Sequence, residues 1–160
     1  DEHIFDIEKL GGTLDLNAGQ AVDRVGVKLG LTFPCGAELE KLAAAAEGER
    51  IPRVTPSVHG LDCNLSGVEN KAAKLIADGS PASVTAMYTL NYIKYTLGEL
   101  TKNALAEHPS LPVLYAGGVM SNGYIKKYLG GLCEAYFAQP CYSSDNAAGT
   151  ALLCAYKFTK

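Results

Sequence analysis

No stretch of about 18 or more uninterrupted apolar residues occurs in the chain, so no segment reads as a membrane span. The five cysteines, Cys35, Cys63, Cys133, Cys141 and Cys154, are odd in number and form no C-x-x-C pair, which argues against a disulfide framework and against a zinc site. They read as reduced and mostly buried, small hydrophobes of a cytoplasmic protein. Basic charge is also in short supply. Lys and Arg number 14 against 17 Asp and Glu, a formal net charge of -3, which leaves no overall footprint for nucleic acid. The pair Lys126 and Lys127 reads as a solvated helix face. No G-x-S-x-G motif and no cysteine-histidine dyad stands out, and His3, His59 and His108 are scattered, so no residue is singled out as catalytic. The chain starts at Asp1 with no methionine, basic n-region or apolar h-region, and it is expected to be part of a longer protein. Internal repeats and low-complexity tracts are absent.

What is present fits one domain. With 160 residues, 48% hydrophobic and 19% charged, the chain buries roughly 70% of the surface that its unfolded form exposes. HIFDIEKLGG reads as a strand running into a glycine turn. From Ala18 to Leu29, apolar residues recur at helical spacing and Gly30 stands as a C-terminal cap residue. A short helix follows over ELEKLAAAA. Residues 50–66, punctuated by Pro52, Pro56 and Gly60, read as a loop or hairpin. One helix is then expected over about 67–77 and another after Ser80-Pro81. In the second, Ala86, Leu90, Ile93, Leu97, Leu100 and Ala104 form a stripe about six turns long, read as core.

After His108-Pro109 the pattern becomes strand, helix, strand, helix: PVLYA, Asn122 to Leu129, EAYFA, and Asp145 to Phe158. Two such units favour parallel neighbours, with a ligand crevice at the carboxyl ends of the strands. Both YAGGVMSN and SSDNAAGTALL fall at that end. Gly117 and Gly118 lack the Cβ atoms that keep a ligand from the backbone, and Asn122 is placed to cap a helix start. Asp145 reads either as a second helix cap or as an oxygen ligand for a cation. Asp23 reads either as an exposed helix charge or as an acceptor for ribose hydroxyls.

These segments together resemble the TsaD, or glycoprotease-like, family of tRNA adenosine threonylcarbamoyltransferases. GGTLDLNAGQAVDRVGVKLGLTFPCG is similar to the family's G-x-T-x-D-D-A-x-G-E-A-F-D-K followed by L-G-L-x-Y-P-G-G. CNLSGVENK resembles F-S-F-S-G-L-K-T, YAGGVMSN resembles G-G-V-x-x-N, and SSDNAAGTAL resembles C-T-D-N-A-A-M-I-A. The resemblance implies an α/β fold: the C-terminal lobe of an actin-hexokinase-Hsp70-like, ribonuclease H-like architecture, with a mixed sheet and a helical insertion at about 67–108. It implies that Asp23 and Gly36 contact a nucleoside, that Asn122, with Gly117 and Gly118, holds the same ligand, and that Asp145 binds one divalent metal, whether iron, zinc or magnesium. The ligand would be ATP or threonylcarbamoyl adenylate. The implied partners are an N-terminal lobe carrying the remaining metal ligands, tRNA as substrate, and the family's partner proteins.

The departures from the pattern are specific. Leu16 and Asn17 stand in the D-D-A region, Gln20 replaces the Glu, Cys35 replaces the first Gly of P-G-G, and Glu69 stands where the family has Lys, with Lys71 retained. Those losses raise a non-catalytic paralogue, an interaction or assembly subunit, as the alternative to a divergent transferase. Peptidase activity, as the family's older name implies, has no support in the residues.

Overall fold

A computed structural model describes residues 7–143 and 147–158. The first helix, α1 (Ala18–Lys28), begins at Asn17. Gln20 Oε1 accepts the Asn17 backbone N-H at 3.2 Å, one half of a capping box. It ends at Leu29, followed by Gly30 at φ +82°. α2 (Gly36–Ala44) starts and stops two residues earlier than the ELEKLAAAA reading. Residues 57–64 form the expected hairpin, β1 (Ser57–His59) and β2 (Asp62–Asn64), paired antiparallel about Gly60 at φ +61°. α3 (Ser66–Ala77) and α4 (Ala82–Glu107) follow. β3 (Val113–Tyr115) and β4 (Ala135–Phe137) lie parallel, flanking α5 (Gly123–Leu129), and α6 (Ala147–Phe158) comes last.

Two expectations are corrected here. Among the described residues the strands form two separate two-stranded sheets, one antiparallel and one parallel, rather than a single mixed sheet. Of the expected HIFDIEKLGG strand, residues 3–6 lie outside the described residues, and 7–12 carry no strand. Pairing is confined to one parallel bridge between Thr13 and Cys63, with the Cys63 N-H donating to the Gly12 carbonyl at 2.9 Å and the Leu14 N-H to the Cys63 carbonyl at 2.8 Å. The contact is close: a Cβ on Gly11 would stand 2.1 Å from the Leu61 carbonyl oxygen.

α4 packs against α1, α2, α3 and α5, and its buried residues, from Val84 to Thr101, cover more than one face. The predicted stripe supplies part of this, with Ala86, Leu90 and Ile93 buried and Leu97 half-buried. Toward α2 and α5 these meet Leu39, Ile125 and Leu129; toward α3, Tyr88 and Tyr92 meet Leu16, Leu65 and Val68. Two buried hydroxyls on α4 return to the carbonyl four residues back, Thr89 to Thr85 at 2.9 Å and Thr96 to Tyr92 at 2.8 Å, whereas the buried Thr85 hydroxyl finds no partner among the described residues.

α5 is fastened to α4 by a buried lysine. Lys94 is 6% exposed, its ammonium donates to Tyr124 Oη at 2.5 Å, and it lies 4.2–5.3 Å from the ring centres of Tyr124, Tyr95 and Tyr128. Tyr124 Oη in turn donates to Asn91 Oδ1 at 2.6 Å. Burial pushes the Lys94 amine below its ordinary value, and the neighbouring Tyr95 opposes that shift. Among the described residues no carboxylate pairs with it.

The cysteine expectation holds in part. Cys35 and Cys63 are buried and Cys133 is half-buried, but Cys141 and Cys154 are exposed. No described helix is long and apolar enough to cross a membrane.

Candidate ligand-binding site

One carboxylate organises the approach to α1, and the sequence reading passed over it. Asp15 Oδ1 accepts the N-H groups of Leu65 at 2.8 Å and Leu16 at 2.5 Å; Oδ2 accepts the Ser66 hydroxyl at 2.5 Å and the Ser66 N-H at 3.2 Å. Partial desolvation pushes this carboxyl up, but the Ser66 hydroxyl and the N-H groups of Leu65, Leu16 and Ser66 outweigh it and hold the group well below the carboxylate range. Asp15 therefore joins the start of α1 to the β2–α3 junction, which carries the N-L-S-G segment. Its signal was in the quoted motif, as the Asp two residues after Thr13.

On α1 itself, Asp23 Oδ1 accepts the Cys35 N-H at 2.8 Å, and the Cys35 thiol donates to the Asp23 carbonyl at 3.6 Å. Asp23 thus sits against Cys35, the residue before Gly36, where α2 opens. Cys35 is fully buried and fits because position 26 has no side chain: a Cβ there would stand 2.3 Å from Cys35 Cβ. Burial pushes the Cys35 thiol up, with Asp23 and Glu38 adding to the shift. Among the described residues Asp23 Oδ2 accepts no hydrogen bond.

The second wall is the turn after β3. Gly117, at φ +105°, takes a conformation that side chains rarely adopt, and a 3-10 turn over Gly118–Ser121 follows. Val119 lies beside Gly19 of α1, while Met120 is buried in the core. Asn122 caps α5, its Oδ1 accepting the Ile125 N-H at 3.0 Å. Glu40 of α2 reaches across to take the Gly123 N-H at 2.8 Å. The N-H groups of Gly123 and Ile125 at this helix start are therefore already bound, and an anion gains little from this helix end.

Asp23 is thus held against the residue before Gly36, α1 touches the 3-10 turn after Gly117, and α2 reaches the Gly123 N-H that follows Asn122. Among the described residues a Cβ at Gly36 or Gly118 would meet nothing within 4 Å, so their packing gives no reason for glycine at either position.

An open cleft of about 530 Å³ runs along the outer face of α1, lined by Gln20, Asp23, Arg24, Val27, Lys28, Phe33 and Glu69. Of the sequence-predicted residues it includes Asp23 alone. Glu69, from α3, pairs with Arg24 at 3.2 Å and Lys28 at 3.4 Å. The Arg24 hydrogen bond, foremost, holds the Glu69 carboxyl below its ordinary value, Lys28 assists, and desolvation works the other way. The substitutions at the start of α1 have structural roles: Leu16 is buried, Asn17 is the N-cap, and Gln20 closes back on it.

Asp145 lies outside the described residues. Among the described residues no three His, Cys, Asp or Glu side chains gather closely enough to hold a metal ion. These residues alone do not make a metal site.

Comparison with known proteins adds a name to this geometry. The family model described as TsaD, tRNA N6-adenosine threonylcarbamoyltransferase, matches residues 2–152. A tRNA N6-adenosine threonylcarbamoyltransferase of Thermus thermophilus is 37% identical over 147 residues, covering 89% of this chain and 45% of the relative. One of the same description from Pyrobaculum calidifontis is 32% identical over 155 residues, covering 94% and 45%. A probable bifunctional tRNA threonylcarbamoyladenosine biosynthesis protein of Haloarcula marismortui is 29% identical, with 90% and 27% covered. The chain spans less than half the length of these relatives. It belongs to the TsaD family of tRNA N6-adenosine threonylcarbamoyltransferases.

Proposed function

We propose that the chain is the nucleotide-binding, C-terminal lobe of an actin-hexokinase-Hsp70-like protein that moves threonylcarbamoyl from its adenylate to a tRNA adenine. The observation that supports this reading is the hydrogen bond from Cys35, the neighbour of Gly36, to Asp23, with Glu40 of the same α2 bound to the Gly123 N-H just after the turn 117–122. In this reading the free Oδ2 of Asp23 accepts hydrogen bonds from ribose hydroxyls, and the bare backbone at Gly36 and Gly118 lets the nucleotide lie close. Asn122 acts mainly through the turn that it caps, keeping its amide nitrogen for the ligand. A divalent metal would take Asp145 alone from this chain and its other ligands from an N-terminal lobe. tRNA and the family's partner proteins complete the proposed assembly.

The test is formation of the modified nucleoside. The protein containing this chain, supplied with adenylate, partner proteins and unmodified tRNA, is expected to produce threonylcarbamoyladenosine. Failure, where a relative succeeds under the same conditions, would sink the transferase reading.

A second reading, a paralogue serving as an assembly subunit, is favoured by the structural roles of Leu16, Asn17 and Gln20 at positions where the family pattern has other residues. Nucleotide binding separates the two: binding that is lost in Asp23→Asn counts against a purely structural role.

A further inference from the structure

We infer that the cleft between residues 51–56 and α4 holds one nucleotide of the tRNA, with its base on Tyr95 and its phosphate on Arg53 and Asn91. This rests on the transferase reading above and adds a contact that the candidate site does not supply.

The segment 51–56 is extended and anchored. Ile51 and Val54 pack against the cluster that contains Tyr88 and Tyr92, and Pro52 restricts the backbone between them. Arg53, set between these anchors, is exposed, and among the described residues its guanidinium pairs with no carboxylate. Opposite it stand Asn91, Tyr95 and Glu99, at successive turns of α4, and the cleft between has a volume of about 500 Å³. A buried cation lies behind this wall. The Lys94 ammonium donates to Tyr124 Oη, so the tyrosine proton is directed to Asn91 Oδ1. With its oxygen taken, Asn91 offers a ligand the N-H groups of its amide, which are unpaired among the described residues. The same ammonium lies 4.4 Å from the Tyr95 ring centre, and Tyr128 meets that ring at 87°, so the ring is held in place while 38% exposed. Glu99 is the one carboxylate in the lining, and Lys102 pairs with it at 3.0 Å. The cleft thus sets a fixed aromatic ring beside a guanidinium and an amide donor, with local positive charge in a chain whose formal net charge is -3. An unstacked base and its phosphate use all of these groups, whereas a bare anion would leave the ring idle.

The experiment is fluorescence anisotropy of labelled, unmodified tRNA titrated with the protein containing this chain, its Arg53→Gln variant and its Tyr95→Leu variant, with the partner proteins present, over a series of salt concentrations. Arg53 is exposed, so its variant is expected to fold as the parent does, and circular dichroism checks this. Arg53→Gln should weaken binding about 3–10-fold at low salt and make the dependence of log affinity on log salt shallower by about 0.7–0.9, the loss of one phosphate contact. Tyr95→Leu should weaken binding about 5-fold or more and leave that slope unchanged, the mark of a lost stack. An Arg53→Gln variant whose affinity and slope match the parent overturns the site and leaves the transferase reading standing. Displacement of tRNA by AMP from the parent but not from Arg53→Gln also overturns it, because the cleft would then take a free nucleotide. If the parent binds no tRNA, the transferase reading falls with it.

Discussion

Asp15→Asn removes a charge from a side chain whose two oxygens together accept hydrogen bonds from Leu16, Leu65 and Ser66. The amide keeps one acceptor oxygen but turns a donor toward the Ser66 N-H, leaving one backbone donor facing another. Hydrogen bonds to charged groups contribute about 1.5–3 kcal/mol when shielded. Asp15 is exposed, so water screens it, and a net loss of roughly 1–2 kcal/mol is expected. For a chain of this length that lowers the thermal midpoint by about 3–8 °C. The pH dependence supplies a second readout. Because the folded carboxyl is depressed, the unfolded chain takes up its proton first; the stabilisation is full above the ordinary carboxylate range and is lost as pH falls below it. Thermal and urea unfolding, followed by circular dichroism at pH 7, 5 and 3.5, should show the two proteins far apart at neutral pH and converging in acid. A midpoint unchanged at pH 7, or a gap that persists undiminished at pH 3.5, refutes the reasoning.

Three further outcomes are expected. Gly26→Ala drives a Cβ into Cys35 and should cost about 1–3 kcal/mol by overpacking; urea unfolding of the double variant with Cys35→Gly should recover most of that loss, and strict additivity would show that the two sites do not share the space. Gly117→Ala, at φ +105°, should cost about 1–3 kcal/mol, whereas Gly36→Ala and Gly118→Ala should leave the unfolding midpoint nearly unchanged while weakening nucleotide binding in titration. A thiol reagent added to the native chain should label Cys141 and Cys154 fast and Cys35 and Cys63 only on unfolding; early labelling of Cys35 would contradict its packing against Gly26.

Much of the architecture was legible because local rules agree with the packing. α1, α3, α4 and α5 begin and end within a residue or two of their expected bounds, at positions marked by Asn17, Pro81, Asn122, Gly30 and Gly79. The parallel pairing of β3 with β4 followed from the intervening helix. What could not be read is long-range. The hydrogen bonds of Asp15 to residues 65 and 66 and the pairing of Glu69 with Arg24 link positions about fifty and forty-five residues apart, and no spacing rule reaches so far. The start of the α5 helix misled for a similar reason: its N-cap was visible, but Glu40 filling a second donor was not. The predicted stripe on α4 showed only one face of a helix that is buried on more than one.

The Glu40 bridge carries a mechanical consequence. With Glu40 tying α2 to the turn, Asp23 tying α1 to α2, and Asp15 tying α1 to the start of α3, the segments around the candidate site are cross-braced into one frame. Such a frame has no internal hinge of its own. Admission and release of a ligand then call for motion of whatever faces this frame, with the frame serving as the fixed jaw.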